Sequence, residues 1–169
     1  LIVEIGSGNG EATWRMARDE PEKDFIAVEV HRPGIGHLLL ALQKNGLENV
    51  RVVCADGTDF VGQRIADAGL AGVRIYFPDP WPKKRHHKRR VVQDATLEAF
   101  HRVLAPGGLL HLVTDHDDLW TWYEAHLARH EALYEARPFM APASAGVTEG
   151  RRIRSWVRRT ASRLVMPCR

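Results

Sequence analysis

The chain has little cysteine and no long hydrophobic run. Its two cysteines, Cys54 and Cys168, form neither a disulfide framework nor a zinc pattern, and both suit a reducing cytoplasm. We expect Cys54, inside the run RVVCAD, to be a buried strand thiol. No apolar segment approaches the roughly 20 residues of a membrane-spanning helix. These features argue against a disulfide-rich secreted protein, a zinc module and a membrane protein.

The first residues do not resemble a signal peptide. The sequence starts with LIVEIG, without Met and already inside a strand-like run, so we expect further residues to precede Leu1 in the gene product. The 169 residues are 44% hydrophobic and 27% charged, which suits one globular domain with one core. We therefore predict a single domain over residues 1–169, with residues 139–169 as a divergent, Arg-rich C-terminal segment.

The net charge of +3 hides an uneven distribution of basic residues. Two segments, residues 83–90 and 151–169, hold thirteen of the 24 Lys and Arg residues and none of the acids. In the rest of the chain, 11 basic residues face 21 acidic ones. An acidic body with concentrated basic segments is typical of a domain that binds a polyanion on one face. The alternative is that these charges are simply solvated, and this interpretation has more support for residues 151–169 than for residues 83–90.

Short apolar runs alternate with helix-like segments along the chain. The runs are near-continuous, as in strands that are covered on both faces, and comprise residues 1–5, 24–30, 50–55, 72–77 and 108–114. The predicted helices comprise residues 11–18, 33–43, 58–68, 91–104 and 117–130. This alternation predicts an α/β fold with a mostly parallel central sheet, right-handed crossovers and helices on both faces.

An acidic residue lies at or just beyond the carboxyl end of every predicted strand. These residues are Glu4, Glu29, Asp56, Asp79 and Asp115. Ligands of open α/β sheets bind outside the carboxyl ends of the strands, so we expect the five carboxylates to line one rim. Exposed turn acids would explain one or two of these positions, but less readily all five.

A glycine loop, GSGNG, follows the first predicted strand. Its glycines are Gly6, Gly8 and Gly10. Their spacing is tighter than in the G-x-G-x-x-G loop that binds a pyrophosphate, and Glu11 stands at the position of the third dinucleotide glycine. Glu29 lies about twenty residues further on, where a carboxylate can hold ribose hydroxyls, and Asp56 can accept from an adenine amino group. The pattern predicts an adenosine ligand without phosphates, and S-adenosylmethionine fits because its cation suits an acidic rim.

Five motifs carry a resemblance to a known family. EIGSGNG, VEVHRPG, CADG, FPDPWPKKRHHKRR and VTD follow one another in this order. In this order they resemble the bacterial tRNA (guanine-N7-)-methyltransferase family over roughly residues 1–137, and FPDPWPKKRHHKRR is the most specific of them. The resemblance implies a Rossmann-like S-adenosylmethionine-dependent methyltransferase fold, with tRNA as the methyl acceptor. We expect a cytoplasmic, RNA-binding enzyme, monomer or homodimer, that uses neither metal nor membrane.

The resemblance also implies roles for individual residues. Alongside the loop glycines, donor binding falls on Glu4, Glu29, Asp56 and Asp79. Substrate contacts fall on Lys83 and Asp115, and the RNA-interacting segment comprises Arg85, His86, His87, Lys88, Arg89 and Arg90.

The chemistry of guanine suggests a catalytic role for Asp79. Guanine N7 has a free lone pair and no proton, so its methylation needs alignment more than a strong base. The product purine gains positive charge, which a nearby carboxylate stabilises. We expect Asp79 to do this or to orient the base, and Asp115 to accept guanine N–H groups. The basic run would then bind tRNA phosphates, with His86 and His87 as hydrogen-bond donors rather than bases.

The loop around Asp79 has its own pattern. The prolines at 78, 80 and 82 stiffen it and so fix Asp79 relative to the donor. Trp81 has two equal interpretations: it stacks on a base of the substrate, or it packs under the loop.

The C-terminal segment departs from the family pattern. After an Arg-Pro such as Arg137-Pro138, the family continues with a Thr-x-Phe-Glu segment and a strand pair that carries Trp-Asp. Here Thr148-Glu149 and Trp156 are only partial matches. Two interpretations stay open: a divergent replacement whose arginines add RNA binding, or an altered end that leaves the last strands ill-formed.

Three alternative functions follow from the same residues. The first is a tRNA-binding protein of methyltransferase fold with weak or no activity, owing to its divergent C-terminus. The second is a nicotinamide-dependent dehydrogenase, which the G-x-G-x-G spacing and the lack of an evident hydride-transfer site oppose. The third is a methyltransferase for DNA or a small molecule, and the basic loop disfavours the small molecule.

Overall fold

The computed structural model of the protein describes residues 1–135, 137–138 and 163–167. Its strands are β1 (Ile2–Ile5), β2 (Phe25–Glu29), β3 (Val50–Cys54), β4 (Leu70–Tyr76), β5 (Leu104–Val113), β6 (Arg137–Pro138) and β7 (Arg163–Pro167). Its α-helices are α1 (Glu11–Asp19), α2 (Arg32–Lys44), α3 (Gly57–Arg64), α4 (Asp94–Val103) and α5 (Asp117–Arg129). A 3₁₀ helix spans Lys84–Arg89.

The strands form one sheet in the order β3-β2-β1-β4-β5-β7-β6. The first five strands are parallel, and β7 is antiparallel to both β5 and β6. The order reverses between β1 and β4, because β2 and β3 lie on one side of β1 and the later strands lie on the other. Such a reversal opens a crevice at the carboxyl ends of the two central strands. The predicted fold, a mostly parallel Rossmann-like sheet, is confirmed.

Two hydrophobic clusters cover the two faces of the sheet. On one face, Val3 of β1 packs in a cluster with Val61 of α3, Phe100 of α4 and Leu119 of α5. On the other face, Ile2 belongs to a cluster with residues of α1 and α2, namely Ala17, Leu38 and Leu42. Successive residues of β1 thus face opposite layers, as the period of a strand requires. All four residues of β1 are buried, which explains its unbroken apolar run.

Side-chain caps set several helix boundaries that the hydrophobic pattern placed differently. Asp56 accepts from Thr58 N and Asp59 N, so α3 begins one residue before the predicted start. Gln93 and Thr96 form a reciprocal capping box, so α4 begins at Asp94 rather than at residue 91. The 3₁₀ helix within the basic run was not predicted, since a charge run has no hydrophobic period.

The expectation of a buried thiol at Cys54 is wrong. Cys54 is exposed, because it ends β3, the outermost strand of the parallel part, where no further strand covers it. Of the C-terminal segment, β7 is described, and Cys168, Thr148, Glu149 and Trp156 lie outside the described residues. Within the described ranges, no helix combines the length and apolar character that crossing a membrane requires.

Candidate active site

The sheet brings the five predicted acids to one rim. Glu4 and Glu29 lie within the last two residues of β1 and β2, and the other three follow β3, β4 and β5 directly or within three residues. Because these strands are parallel neighbours, their carboxyl ends meet at the same edge. Glu4 and Glu29 are buried, whereas Asp56, Asp79 and Asp115 are exposed. The rim therefore has a buried acidic part and an open acidic part.

The glycine loop turns through left-handed backbone angles. Gly6, Gly8 and Gly10 have φ values of 74°, 56° and 74°, which side chains other than glycine rarely adopt. At Gly10 a Cβ would also lie only 2.4 Å from the Leu38 side chain of α2. A helix therefore packs directly on the loop, which explains why glycine is needed at the start of α1.

Glu29 ties the end of β2 to the glycine loop. Its Oε2 accepts from Gly8 N at 2.7 Å, and its Oε1 accepts from Val30 N at 2.7 Å and His31 N at 2.8 Å. These backbone bonds hold the carboxylate in one orientation. A second lone pair on Oε2 is left over, and a ligand hydroxyl can donate to it.

Glu4 is a buried carboxyl with an unusual proton affinity. It is 3% exposed, and Thr13 Oγ1 donates to its Oε2 at 2.6 Å. Burial raises its pKa to about 7, while the Thr13 bond and the charge of Arg74 act in the opposite direction. A cationic group bound beside Glu4 would favour its ionised form.

Ser7 is a site residue that sequence reasoning missed. Its hydroxyl oxygen is buried in the glycine loop and has no hydrogen-bond partner among the described residues. Buried polar atoms are nearly always paired, so an unpaired one in a loop suggests a ligand that completes it. Nothing in the sequence marked this serine, because the x positions of a glycine loop carry no fixed residue.

Asp56, at the end of β3, is the N-cap of α3. Its Oδ1 accepts from Thr58 Oγ1 at 2.6 Å, Thr58 N at 2.9 Å and Asp59 N at 3.0 Å. The Thr58 hydroxyl is the main cause of its lowered pKa. The cap thus keeps Asp56 ionised and points it in one direction, with Oδ2 free of any of these bonds.

The loop that carries Asp79 is bent at both ends into unfavourable backbone angles. Phe77 has a φ of 48° and Trp81 a φ of 43°, and both are bulky residues for which left-handed angles are outliers. Phe77 N also donates to Val113 O of β5 at 2.9 Å. Asp79, between two prolines, is therefore presented to solvent by a constrained turn above β4 and β5.

The basic run forms an exposed helical turn beside that loop. The exposed cations are Lys83, Lys84, Arg85, Lys88 and Arg89, and His86 and His87 are half-buried. The Arg89 guanidinium lies 4.9 Å from the Trp81 ring centroid, and the His86 ring meets Trp81 edge-on at 5.8 Å. Trp81 is half-buried within the basic segment, and its base-stacking role stays a prediction.

Arg90 departs from the expectation that it belongs to the exposed RNA-binding run. It is 2% exposed, and its Nε donates to Pro80 O at 2.9 Å. Its Nη2 pairs with the carboxylate of Asp118 in the first turn of α5. The arginine is buried because it follows the 3₁₀ helix and turns inward beneath the Asp79 loop.

The remaining predicted site residue, Asp115, is exposed just after β5. Its neighbour Thr114 is buried, and the Thr114 hydroxyl accepts from His116 N at 3.2 Å, which fixes the turn into α5. Among the described residues, His, Cys, Asp and Glu side chains form no cluster able to hold a metal ion. The arrangement combines buried carboxyls, exposed aspartates and a basic 3₁₀ helix at the carboxyl ends of the strands.

The sheet order and its helices are those of the Rossmann-like methyltransferase fold. A family model described as a putative methyltransferase matches residues 1–145. A solved structure of a putative methyltransferase from Streptococcus mutans in complex with SAH has a TM-score of 0.59, at 12% identity, over 99% of this chain and 86% of that one.

Curated relatives narrow the class. A protein of Nitrosococcus oceani named tRNA (guanine-N(7)-)-methyltransferase is 50% identical over 129 residues, covering 76% of this chain and 55% of that protein. One of the same name from Alkalilimnicola ehrlichii is 52% identical over 126 residues, covering 75% and 52%. The chain belongs to the bacterial tRNA (guanine-N7-)-methyltransferase family, as its motifs predict. It spans about half the length of these relatives.

Proposed function

We propose that the protein transfers a methyl group from S-adenosylmethionine to N7 of a guanosine in tRNA. The observation that carries this proposal is the position of Asp79. Its loop lies between the rim that holds the buried carboxylates and a helical turn of exposed cations. The groups that suit a methyl donor, a purine that gains charge and an RNA backbone thus follow one another from the strand ends through the Asp79 loop to the 3₁₀ helix.

The chain's own residues fit the donor. Glu29 is oriented by three backbone N–H groups, as a ribose-binding carboxylate should be. The unpaired Ser7 hydroxyl and the buried Glu4 suit the polar and cationic groups of an amino-acid moiety. Asp56 suits an adenine amino group. When bound, S-adenosylmethionine supplies an electrophilic methyl group, and these residues orient it toward the crevice.

The acceptor side needs positioning rather than proton transfer. Guanine N7 presents a lone pair and carries no proton, so no general base is required. In this proposal Asp79 stabilises the charge that the purine gains, and Asp115 accepts from guanine N–H groups. The constrained backbone angles at Phe77 and Trp81 preorganise Asp79, so the loop needs little reorganisation during the reaction.

The exposed cations bind the tRNA backbone. Lys83, Lys84, Arg85, Lys88 and Arg89 lie on one short segment and face solvent, which suits phosphate contacts that position RNA without reading its sequence. The proposal takes tRNA as the partner, the cytoplasm as the compartment and residues 1–169 as one domain. The expected oligomeric state, a monomer or a homodimer, stays a prediction.

The alternative, a tRNA-binding protein with weak or no activity, depends on an ill-formed C-terminal segment. Against this stands β7, which pairs with β5 over five residues, from Leu109–Pro167 to Val113–Arg163. The sheet thus continues beyond its parallel part. This observation favours the active enzyme.

The test is methyl transfer by the full-length protein from labelled S-adenosylmethionine to unmodified tRNA, with nucleoside analysis of the product. We expect label in 7-methylguanosine. Asp79→Ala should lower the rate by roughly 100-fold or more while tRNA binding stays near normal. The matched control is Glu22→Gln, an exposed acid between α1 and β2, at the opposite edge of the sheet. Bound tRNA without label would favour the inactive alternative.

A further inference from the structure

Arg90 is the last residue of the basic run, yet it contacts protein rather than solvent. Its side chain is 1% exposed, in contrast to its neighbours Lys88 and Arg89. Its Nε donates to Pro80 O at 2.9 Å, and its Nη2 makes a longer contact of 3.5 Å with Trp81 O. Both carbonyls belong to the two residues that follow Asp79. The guanidinium therefore holds the Asp79 loop by its backbone.

The loop needs such support. Left-handed angles at residues other than glycine are unfavourable, and they persist only where the surroundings impose them. Phe77 and Trp81 both adopt such angles, one on either side of Asp79. Pro78 and Pro80 restrict their own φ angles, but proline does not impose a left-handed angle on its neighbours. The contacts of the Arg90 guanidinium supply part of the missing constraint.

The other end of the Arg90 contact is a fixed helix. Asp118 pairs with the guanidinium from the first turn of α5, and that hydrogen bond is the main cause of the lowered pKa of Asp118. The guanidinium also lies 4.9 Å from the Trp122 ring centroid, one turn further along. Leu119, between them, is fully buried in the core. Arg90 thus connects the Asp79 loop to an element that packing holds in place.

We propose that Arg90 and Asp118 form a positioning pair that sets the height and direction of Asp79, and that Arg90 is not a phosphate contact. This inference rests on the proposed function, because the purpose of the pair is to align Asp79 with the reacting guanine. It assigns two different roles to adjacent arginines of one run: Arg89 binds RNA, and Arg90 holds the catalytic loop.

The experiment compares Asp118→Ala with Asp94→Ala in the full-length protein. Asp94 is a matched control, since it also lies in the first turn of a helix, is 53% exposed against 59% for Asp118, and pairs with an arginine, Arg129. The readouts are amide hydrogen exchange of the four non-proline residues in 77–83 (Phe77, Asp79, Trp81 and Lys83), kcat, KM for tRNA, and the salt dependence of tRNA binding.

We expect Asp118→Ala to speed hydrogen exchange in residues 77–83 and to lower kcat about tenfold, because a small displacement of a catalytic group has a large effect on rate. The Kd for tRNA and its salt slope should stay within about twofold, because no phosphate contact is lost. Asp94→Ala should leave the hydrogen exchange of residues 77–83, kcat and tRNA binding unchanged. Asp118→Asn, which keeps the acceptor oxygen, should recover part of the rate.

Arg90→Lys adds a second, independent variant, since lysine keeps the charge but cannot contact two carbonyls and a carboxylate with a planar fork. It should behave like Asp118→Ala. Weakened tRNA binding with normal kcat and unchanged exchange of residues 77–83 would assign Arg90 to RNA instead. Unchanged exchange of residues 77–83 in Asp118→Ala would also overturn the proposal. The exchange measurement stands even where the wild type transfers no methyl group, so the two proposals fail separately.

Discussion

At the scale of one residue, the burial of the Glu4 carboxyl should lower the stability of the protein at neutral pH. Its pKa of about 7 exceeds that of an exposed carboxyl, so the unfolded chain ionises first as pH rises. Its unfavourable contribution grows from about pH 4.5 to about pH 7 and is complete above that range. We expect Glu4→Gln, which keeps the acceptor for Thr13, to stabilise the protein by roughly 2–3 kcal/mol at about pH 8 and little at about pH 5. Urea unfolding of the variant and the wild type at both pH values measures this difference in stability. An equal difference at the two pH values would contradict the prediction.

The same carboxyl should link donor binding to pH. The positive charge of the donor favours ionised Glu4, so binding should release a proton below about pH 7. Affinity should therefore rise with pH, by up to about tenfold per unit, and level off above about pH 7. Calorimetry of S-adenosylmethionine binding in buffers of different ionisation heat measures the released proton. Glu4→Gln should bind S-adenosylmethionine without releasing a proton. An identical proton release in that variant would assign the proton to another group.

At the scale of an element, the 3₁₀ helix carries exposed cations and is followed by the buried Arg90, and under the proposed function only the exposed cations contact phosphates. Lys88 and Arg89 are exposed, so the double variant Lys88→Gln/Arg89→Gln should reduce the salt slope of tRNA binding by about 1 to 2, since each lost phosphate contact removes about 0.7 to 0.9. Filter binding across a salt series measures the slope. The control is Lys23→Gln/Lys44→Gln, a pair of exposed lysines away from the basic run. An unchanged slope in the first variant would leave the helix as a solvated surface.

Elements differ in how far the sequence predicts them. The five parallel strands were predictable because burial on both faces leaves unbroken runs such as that of β1. The common location of the five rim acids was predictable from these strands, since the carboxyl ends of parallel strands share one edge of the sheet. The burial of Arg90 was not predictable, because its partner Asp118 lies 28 residues away and KKRHHKRR gives no local sign of which residue turns inward. The angles at Phe77 and Trp81 were equally hidden, as they depend on tertiary contacts.

At the scale of the whole molecule, acid should destabilise the fold through α5. His126 is 6% exposed, its Nδ1 lies 2.9 Å from Trp122 O, and its ring lies 4.3 Å from that of Trp122. Burial lowers its pKa, and Arg129 and His130 act in the same direction, whereas the hydrogen bond with Trp122 O and the charge of Asp94 oppose them. The unfolded chain therefore takes up a proton first, so stability should fall as pH drops below about 6.5.

The measurement is thermal unfolding between about pH 5 and about pH 7.5, and His126→Gln should flatten the lower part of the curve. The control is His37→Gln, which removes an exposed histidine of α2 and should leave the curve unchanged. A wild-type curve that stays flat below about pH 6.5 would contradict the prediction.

The antiparallel strand β7 has a consequence for how the molecule is made. Arg163, its first residue, follows Val113, the last residue of its partner β5, by 50 residues. At about 5–20 residues per second, a ribosome needs roughly 3–10 seconds to cover that interval. During this time the outer edge of β5 has unpaired backbone groups, and such an edge invites pairing with other chains. Products of premature termination before residue 163 would keep that edge. The nascent chain therefore stays open to this route of aggregation until β7 has been made and has paired with β5.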